Sequence, residues 1–261
     1  MNIGIIGMGV VGSVLFKAFK RSKNKCLGID LKNQNQKLDL LKQDIIYICL
    51  PTNLKRNKLE TKFIEKYLFF LNKKKYKGTI AVKSTLNPGD TDAFQKKYNY
   101  LNKRICFVPE FLRERVAYKD FTVNHDLLLI GSTHKNSIKK IINNHSKFPK
   151  NMRVVKPIEA ELIKLFSNSY NAARVVFANS FYEVCKSLKV NYQNILSSYL
   201  IMGKSSGNYL KCSTNLRGFG GKCLPKDLAT LSHTANKKTK NVKFFNNILK
   251  QNNKFKTTIK R

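Results

Sequence analysis

The 261-residue chain is 42% hydrophobic and 11% aromatic, a balance that excludes disordered, collagen-like and low-complexity proteins and provides for a sizeable core. Lys and Arg number 50 against 15 Asp and Glu, for a formal charge of +35, which raises the question of a polyanionic partner. Lysine and asparagine are spread along the chain in runs such as Asn72-Lys73-Lys74-Lys75, with no finger, RNP aromatic signature or basic zipper, so the charge reads as compositional drift without a specific nucleic acid partner.

In chain order, short apolar runs at Ile3–Ile6, Lys25–Ile29, Ile45–Leu50, Thr79–Lys83, Ile105–Val108 and Leu127–Gly131 read as strands with helical material between them. That alternation predicts an α/β fold with a parallel, doubly wound, Rossmann-like sheet. A last run, Arg153-Val154-Val155, precedes Lys156-Pro157. From Ile158 to about Lys189 the apolar spacing becomes helical, predicting one long spine helix, and the remainder reads as helical around a Gly-rich stretch. The expected organisation is therefore a domain over 1–156 and an all-helical domain over 157–261. No apolar run approaches the ~20 residues that span a bilayer, and the N-terminus lacks signal-peptide features, so a cytoplasmic protein without a membrane partner is expected. Six cysteines form no CxxC motif, which favours neither a metal site nor disulfides.

Gly7-Met8-Gly9-Val10-Val11-Gly12 follows the first strand and opens a helix, the context in which a GxGxxG pattern signals a dinucleotide site. Gly7 would permit the tight turn, Gly9 the approach of backbone N–H groups, with Val10 and Val11 counted in the same site, to a pyrophosphate, and Gly12 close helix–strand packing. Asp30, at the end of the second strand, can accept hydrogen bonds from the ribose hydroxyls of NAD and would repel the 2′-phosphate of NADP.

The segment from Gly218 to Asp227 reads Gly-Phe-Gly-Gly-Lys-Cys-Leu-Pro-Lys-Asp. Pro225 suits a first helical turn, which sets Cys223 just ahead of a helix N-terminus. There the macrodipole, with Lys222 or Lys226, favours a thiolate, making Cys223 a candidate nucleophile. Asp227, four residues on, shares its helical face and could position water or take a proton. Lys164 and Asn168 stand i,i+4 on the long helix and could together hold an oxyanion.

With these residues the chain resembles the UDP-glucose/GDP-mannose dehydrogenase family, through the cysteine segment and four further stretches in order: the glycine fingerprint with Pro51-Thr52, Lys83-Ser84-Thr85, Pro109-Glu110-Phe111-Leu112-Arg113-Glu114, and Glu159 to Asn168. The resemblance implies a four-electron oxidation of a sugar C6 alcohol by two NAD+ in succession, through a thioester on Cys223. It implies that Pro51, Thr52, Ser84 and Thr85 belong to the cofactor site and that Glu114 is the base for thioester hydrolysis, with Asp227 and Thr85 placing water. Glu110 organises the site. Glu110, Phe111, Leu112, Lys164, Asn168, Lys204, Asn208, Tyr209 and Gly220 are the implied substrate positions, the substrate being a nucleotide sugar and first of all UDP-glucose. Members of the family continue into a third domain over the nucleotide, which these 261 residues are expected to lack, so that a separate chain could supply it. A homodimer through the helical region is the expected assembly.

Overall fold

The computed structural model describes residues 1–56, 58–145, 147–203, 209–221, 223–238 and 243–255. Its strands are β1 (Asn2–Ile6), β2 (Lys25–Ile29), β3 (Ile45–Ile48), β4 (Leu54–Lys55), β5 (Lys58–Leu59), β6 (Thr79–Val82), β7 (Ile105–Phe107), β8 (Leu127–Gly131) and β9 (Asn151–Val155). The helices are α1 (Val10–Arg21), α2 (Lys62–Lys73), α3 (Asp90–Lys97), α4 (Ala117–Thr122), α5 (Lys135–His145), α6 (Pro157–Ser187), α7 (Tyr192–Ile201), α8 (Leu224–Lys238) and α9 (Phe244–Asn252). The chain divides into two units, Met1–Asn53 with Leu59–Lys164 and Leu54–Lys58 with Leu165–Arg261.

In the first unit seven strands form one sheet in the order β2-β1-β3-β6-β7-β8-β9. Ile45 to Ile48 are all fully buried, as a strand covered on both faces requires. One face packs Ile46, Ile48 and Ile80 against Ile64, Leu68 and Leu71 of α2 and Phe94 of α3. The other packs Ile3, Ile5 and Tyr47 against Leu15 and Phe19 of α1, Phe121 of α4 and Ile141 of α5. The sheet is thus doubly wound, and the chain leaves β1 for β2 on one side and crosses to β3 on the other. Ligands bind α/β sheets at this switch point, outside the carboxyl ends of the strands.

Two expectations need correction. The sheet is not wholly parallel: β7 pairs with β8 antiparallel through Phe107 and Gly131, while β8 and β9 are parallel to each other. An apolar run such as Leu127–Gly131 satisfies a buried ladder in either direction, so composition does not encode the reversal. Strands also end earlier than their apolar runs: Leu50, Lys83 and Val108 lie beyond β3, β6 and β7, in the loops that carry the candidate site.

Apart from β4 and the start of β5, the second unit is helical in its elements. The part of α6 within it, with α8 and α9, encloses Ala172, Val175, Val176, Phe219, Leu224, Leu228 and Ile248, and a smaller cluster joins Ala178, Cys185, Tyr192, Leu196 and Cys212. The long helix spans Pro157–Ser187 against an expected Ile158–Lys189. Much of its apolar pattern faces outward: Phe166, Tyr170, Phe177, Val184 and Leu188 after its end are all more than half exposed. Among the described residues no helix is long and apolar enough to cross a membrane and no group of His, Cys, Asp or Glu could hold a metal ion. All six thiols are free: Cys106, Cys185 and Cys212 are buried, Cys26 and Cys49 half-buried, and Cys223 exposed.

Candidate active site

At the switch point the glycine turn follows from steric necessity. Gly7 has φ +91°, and a Cβ there would stand 2.7 Å from the Cys49 carbonyl oxygen at the end of β3. A Cβ on Gly12 would lie 1.9 Å from the Gly7 oxygen, so α1 approaches the turn as no other residue allows. Gly9, by contrast, has open space where its Cβ would be, and no side chain caps the helix that starts after it. The exposed first turn at Val10 and half-buried Val11 therefore offers N–H groups that no side chain caps, beside the open space at Gly9, which fits a pyrophosphate. Asp30, half-buried, accepts from the Met8 amide at 3.3 Å and so ties the end of β2 to the same turn.

Beyond β3 and β6, Thr52 donates to the Thr85 carbonyl at 2.9 Å, and Ser84 donates to the Leu50 carbonyl at 2.6 Å. These bonds lock the Pro51-Thr52 and Ser84-Thr85 segments together; Pro51 itself is exposed. Lys83 forms a buried ion pair with Glu110, and Lys164 Nζ donates 2.7 Å to the Glu110 backbone oxygen while lying 5.3 Å from the Phe111 ring centroid. Phe111 and Leu112 are half-buried and Glu114 is exposed at the start of a short 3-10 turn.

In the helical unit Cys223 immediately precedes α8, its carbonyl accepts from the Asp227 amide at 3.0 Å, and its side chain is exposed. Asp227 is fully buried and accepts from the Asn168 amide. The backbone leading into this loop is held by two buried amides: Asn179 accepts from Gly218 N at 3.0 Å, and Asn252 exchanges bonds of 2.8 and 3.0 Å with the N–H and C=O of Phe219.

Residues 34–148 match the model of the UDP-glucose/GDP-mannose dehydrogenase family, NAD binding domain, and residues 158–254 that of the same family's central domain. The chain belongs to this family. It is 29% identical over 183 residues to UDP-glucose 6-dehydrogenase of Rickettsia prowazekii (strain Madrid E), covering 66% of this chain and 40% of that relative. It is 24% identical over 284 aligned positions to GDP-mannose 6-dehydrogenase of Azotobacter vinelandii, covering 90% of this chain and 64% of the relative. A UDP-glucose dehydrogenase from the hyperthermophilic archaeon Pyrobaculum islandicum has the same fold, with TM-score 0.86 at 20% identity over 97% of this chain and 68% of that one. The chain therefore spans 40% to 64% of the length of these two curated relatives. NAD is the cofactor of this dehydrogenase family member.

Against that membership the structure joins Asn168 to Asp227 and Lys164 to Glu110, and gathers Gly7 to Gly12 with Asp30 at the carboxyl ends of β1 and β2. Tyr209 is half-buried, as is Gly220. Lys204, Asn208 and Lys222 lie outside the described residues. Sequence reasoning assigned no role to Lys83, Glu161, Asn179 or Asn252. Glu161 is fully buried and accepts from Gly89 N at 2.5 Å and from Thr91 N and Oγ1 at 2.8 and 2.6 Å, at the start of α3. Burial pushes its carboxyl up to about 7 against the pull of those three donors. The available signal was one polar residue inside an apolar helical run, as with Asn179 beside Val175, Val176 and Ala178, but asparagine is too abundant here for that to stand out.

Proposed function

We propose that this dehydrogenase oxidises the C6 alcohol of a nucleotide sugar, first of all UDP-glucose, to the carboxylate. The observation that carries the reading is an exposed thiol at the N-terminal edge of α8, one turn from a buried carboxylate that accepts from Asn168. NAD, when bound, accepts a hydride at each of the two oxidation stages. Val10 and Val11 bind the pyrophosphate through backbone N–H groups, Asp30 selects NAD over NADP through the ribose, and the Pro51-Thr52 and Ser84-Thr85 segments border the cofactor. In the first stage the alcohol loses a proton and a hydride to become an aldehyde, with the alkoxide held by Lys164 and Asn168. The Cys223 sulfur then adds to the aldehyde carbon, and loss of the second hydride from that adduct leaves a thioester. Glu114 takes a proton from a water placed by Asp227 and Thr85. That water attacks the thioester carbon, the C–S bond breaks with its electron pair going to sulfur, and the Cys223 thiolate and the acid are released.

Purified chain incubated with NAD and UDP-glucose, GDP-mannose or UDP-N-acetylmannosamine tests this directly, with two NADH formed per acid. Cys223→Ser is expected to abolish acid while leaving NAD affinity within twofold; undiminished acid from that variant ends the thioester reading. Lys164→Ala is expected to raise the barrier by about 2.7–4 kcal/mol, the usual cost of losing one oxyanion donor. The exposed faces of Phe166 with Tyr170 and of Phe177 with Phe181, each stacked pair at one-turn spacing on α6, support a homodimer through this helix.

A further inference from the structure

Lys83 and Glu110 emerge from neighbouring parallel strands just past the register pair Val82 and Phe107. The Lys83 side chain is 0% exposed and that of Glu110 5%, so the ion pair is sealed in the sheet. Beneath it the Lys83 ammonium stands 5.8 Å from the ring centroid of Tyr47, whose hydroxyl donates 2.7 Å to Asn144. Backbone bonds hold both ends, from Lys83 N to the Ile48 carbonyl at 2.9 Å and from Val108 N to the Val82 carbonyl at 2.8 Å.

Glu110 thus presents two oxygens of different kind to two ammonium groups. Its carboxylate turns inward to Lys83, and its neutral backbone carbonyl accepts from Lys164. Without Lys83 a carboxylate attached to the residue that Lys164 already touches would be left without its buried counter-ion. Swinging to Lys164, whose ammonium already touches the backbone of the same residue, would relieve it. A Lys164 ammonium neutralised in that way has less charge to offer an alkoxide.

We propose that Lys83 is a positioning residue that sequesters the Glu110 carboxylate, so that Lys164 is oriented by a carbonyl and keeps its charge for the substrate oxygen. This rests on the role given to Lys164 above, and the test has a readout that does not need turnover. The rate of Lys164 acetylation by acetic anhydride, followed by peptide mass spectrometry at fixed pH, reports how readily its ammonium gives up a proton. In Lys83→Met the rate is expected to fall at least tenfold, because the ammonium gains a carboxylate. In Lys83→Arg, which keeps the counter-ion, it is expected to stay within threefold of the parent. In Lys83→Met/Glu110→Gln, which removes both charges and leaves no buried orphan, it is expected to return to within twofold. The double variant decides the matter even if Lys83→Met does not fold: a tenfold rise over the parent would mean that the carboxylate already serves Lys164, and the proposal falls. An unchanged rate in a folded Lys83→Met overturns it equally. With active protein, Lys83→Met should lower kcat at least tenfold with KM for NAD unchanged, and the double variant should recover part of that loss. If even the parent oxidises no sugar, the dehydrogenase reading of this chain fails while the acetylation rates still decide the role of Lys83.

Discussion

The two units hold their candidate residues by different means. Around Gly7 the geometry is backbone geometry: a turn of φ +91°, a helix start after Gly9, and strand ends that deliver Asp30, Thr52 and Ser84 to the carboxyl end of the sheet. Around Cys223 the loop is held by side chains remote in sequence, Asn179 from α6 and Asn252 from α9, each gripping one stretch of main chain. A site made by backbone tolerates change in what surrounds it and almost none in its own glycines. A site made by clamps tolerates change in its own residues provided that the distant amides stay.

The sharpest test of this contrast is Gly12→Ala. The added methyl would meet the Gly7 oxygen, so NAD affinity is expected to drop more than 100-fold in calorimetry, with overpacking of about 1–3 kcal/mol in urea unfolding. Retained affinity would mean that the turn yields as the clamps do. Next in size, Asn252→Ala leaves the buried Phe219 N–H and C=O unsatisfied, at a cost of about 1–3 kcal/mol. NAD binding should hardly change, while the rate of Cys223 alkylation should, because the loop that carries the thiol loses a stay. The smallest effect comes from pH. His145 is fully buried against Phe19, Tyr47 and Phe121, and burial, with the nearby Lys83 charge, holds its imidazole well below the ordinary range. The unfolded chain takes up a proton near pH 6.5 that the folded state refuses, so this contribution is complete above that pH and is lost as pH falls below it. The loss is about 0.8 kcal/mol at pH 6, and His145→Phe should flatten the melting-temperature profile between pH 5 and 7. The amide clamps of the helical unit do not titrate, and a matching slope in Asn252→Ala relative to its parent would blur the distinction between the two units.

The same contrast explains what could be read from the residues alone. The glycine turn, Asp30 and the start of α8 at Leu224-Pro225 are local consequences of local residue types, and each stands where the pattern placed it. The reversal of β8 is not local, because Leu-Leu-Leu-Ile-Gly pairs acceptably in either sense and the direction depends on how the preceding loop returns. Glu161 is invisible for a related reason: its three donors lie on Gly89 and Thr91, some seventy positions away, and a carboxylate two residues after Glu159 reads as helix surface. Lys83 stood inside a quoted motif but drew no role, since nothing in Lys-Ser-Thr says that its charge turns inward.

The reversal at β7 and β8 also divides the sheet mechanically. Five strands form one continuously parallel set, whereas the backbone ladder joins β8 and β9 to it through the single register pair of Phe107 with Gly131, the rest of the attachment being side-chain packing and bonds such as those of Tyr47 to Asn144 and Thr79 to Ser137. The backbone ladder is thinnest along that line. Amide hydrogen exchange should therefore find two cooperative opening units in this sheet, with β8 and β9 releasing their protons together and ahead of β1, β3 and β6.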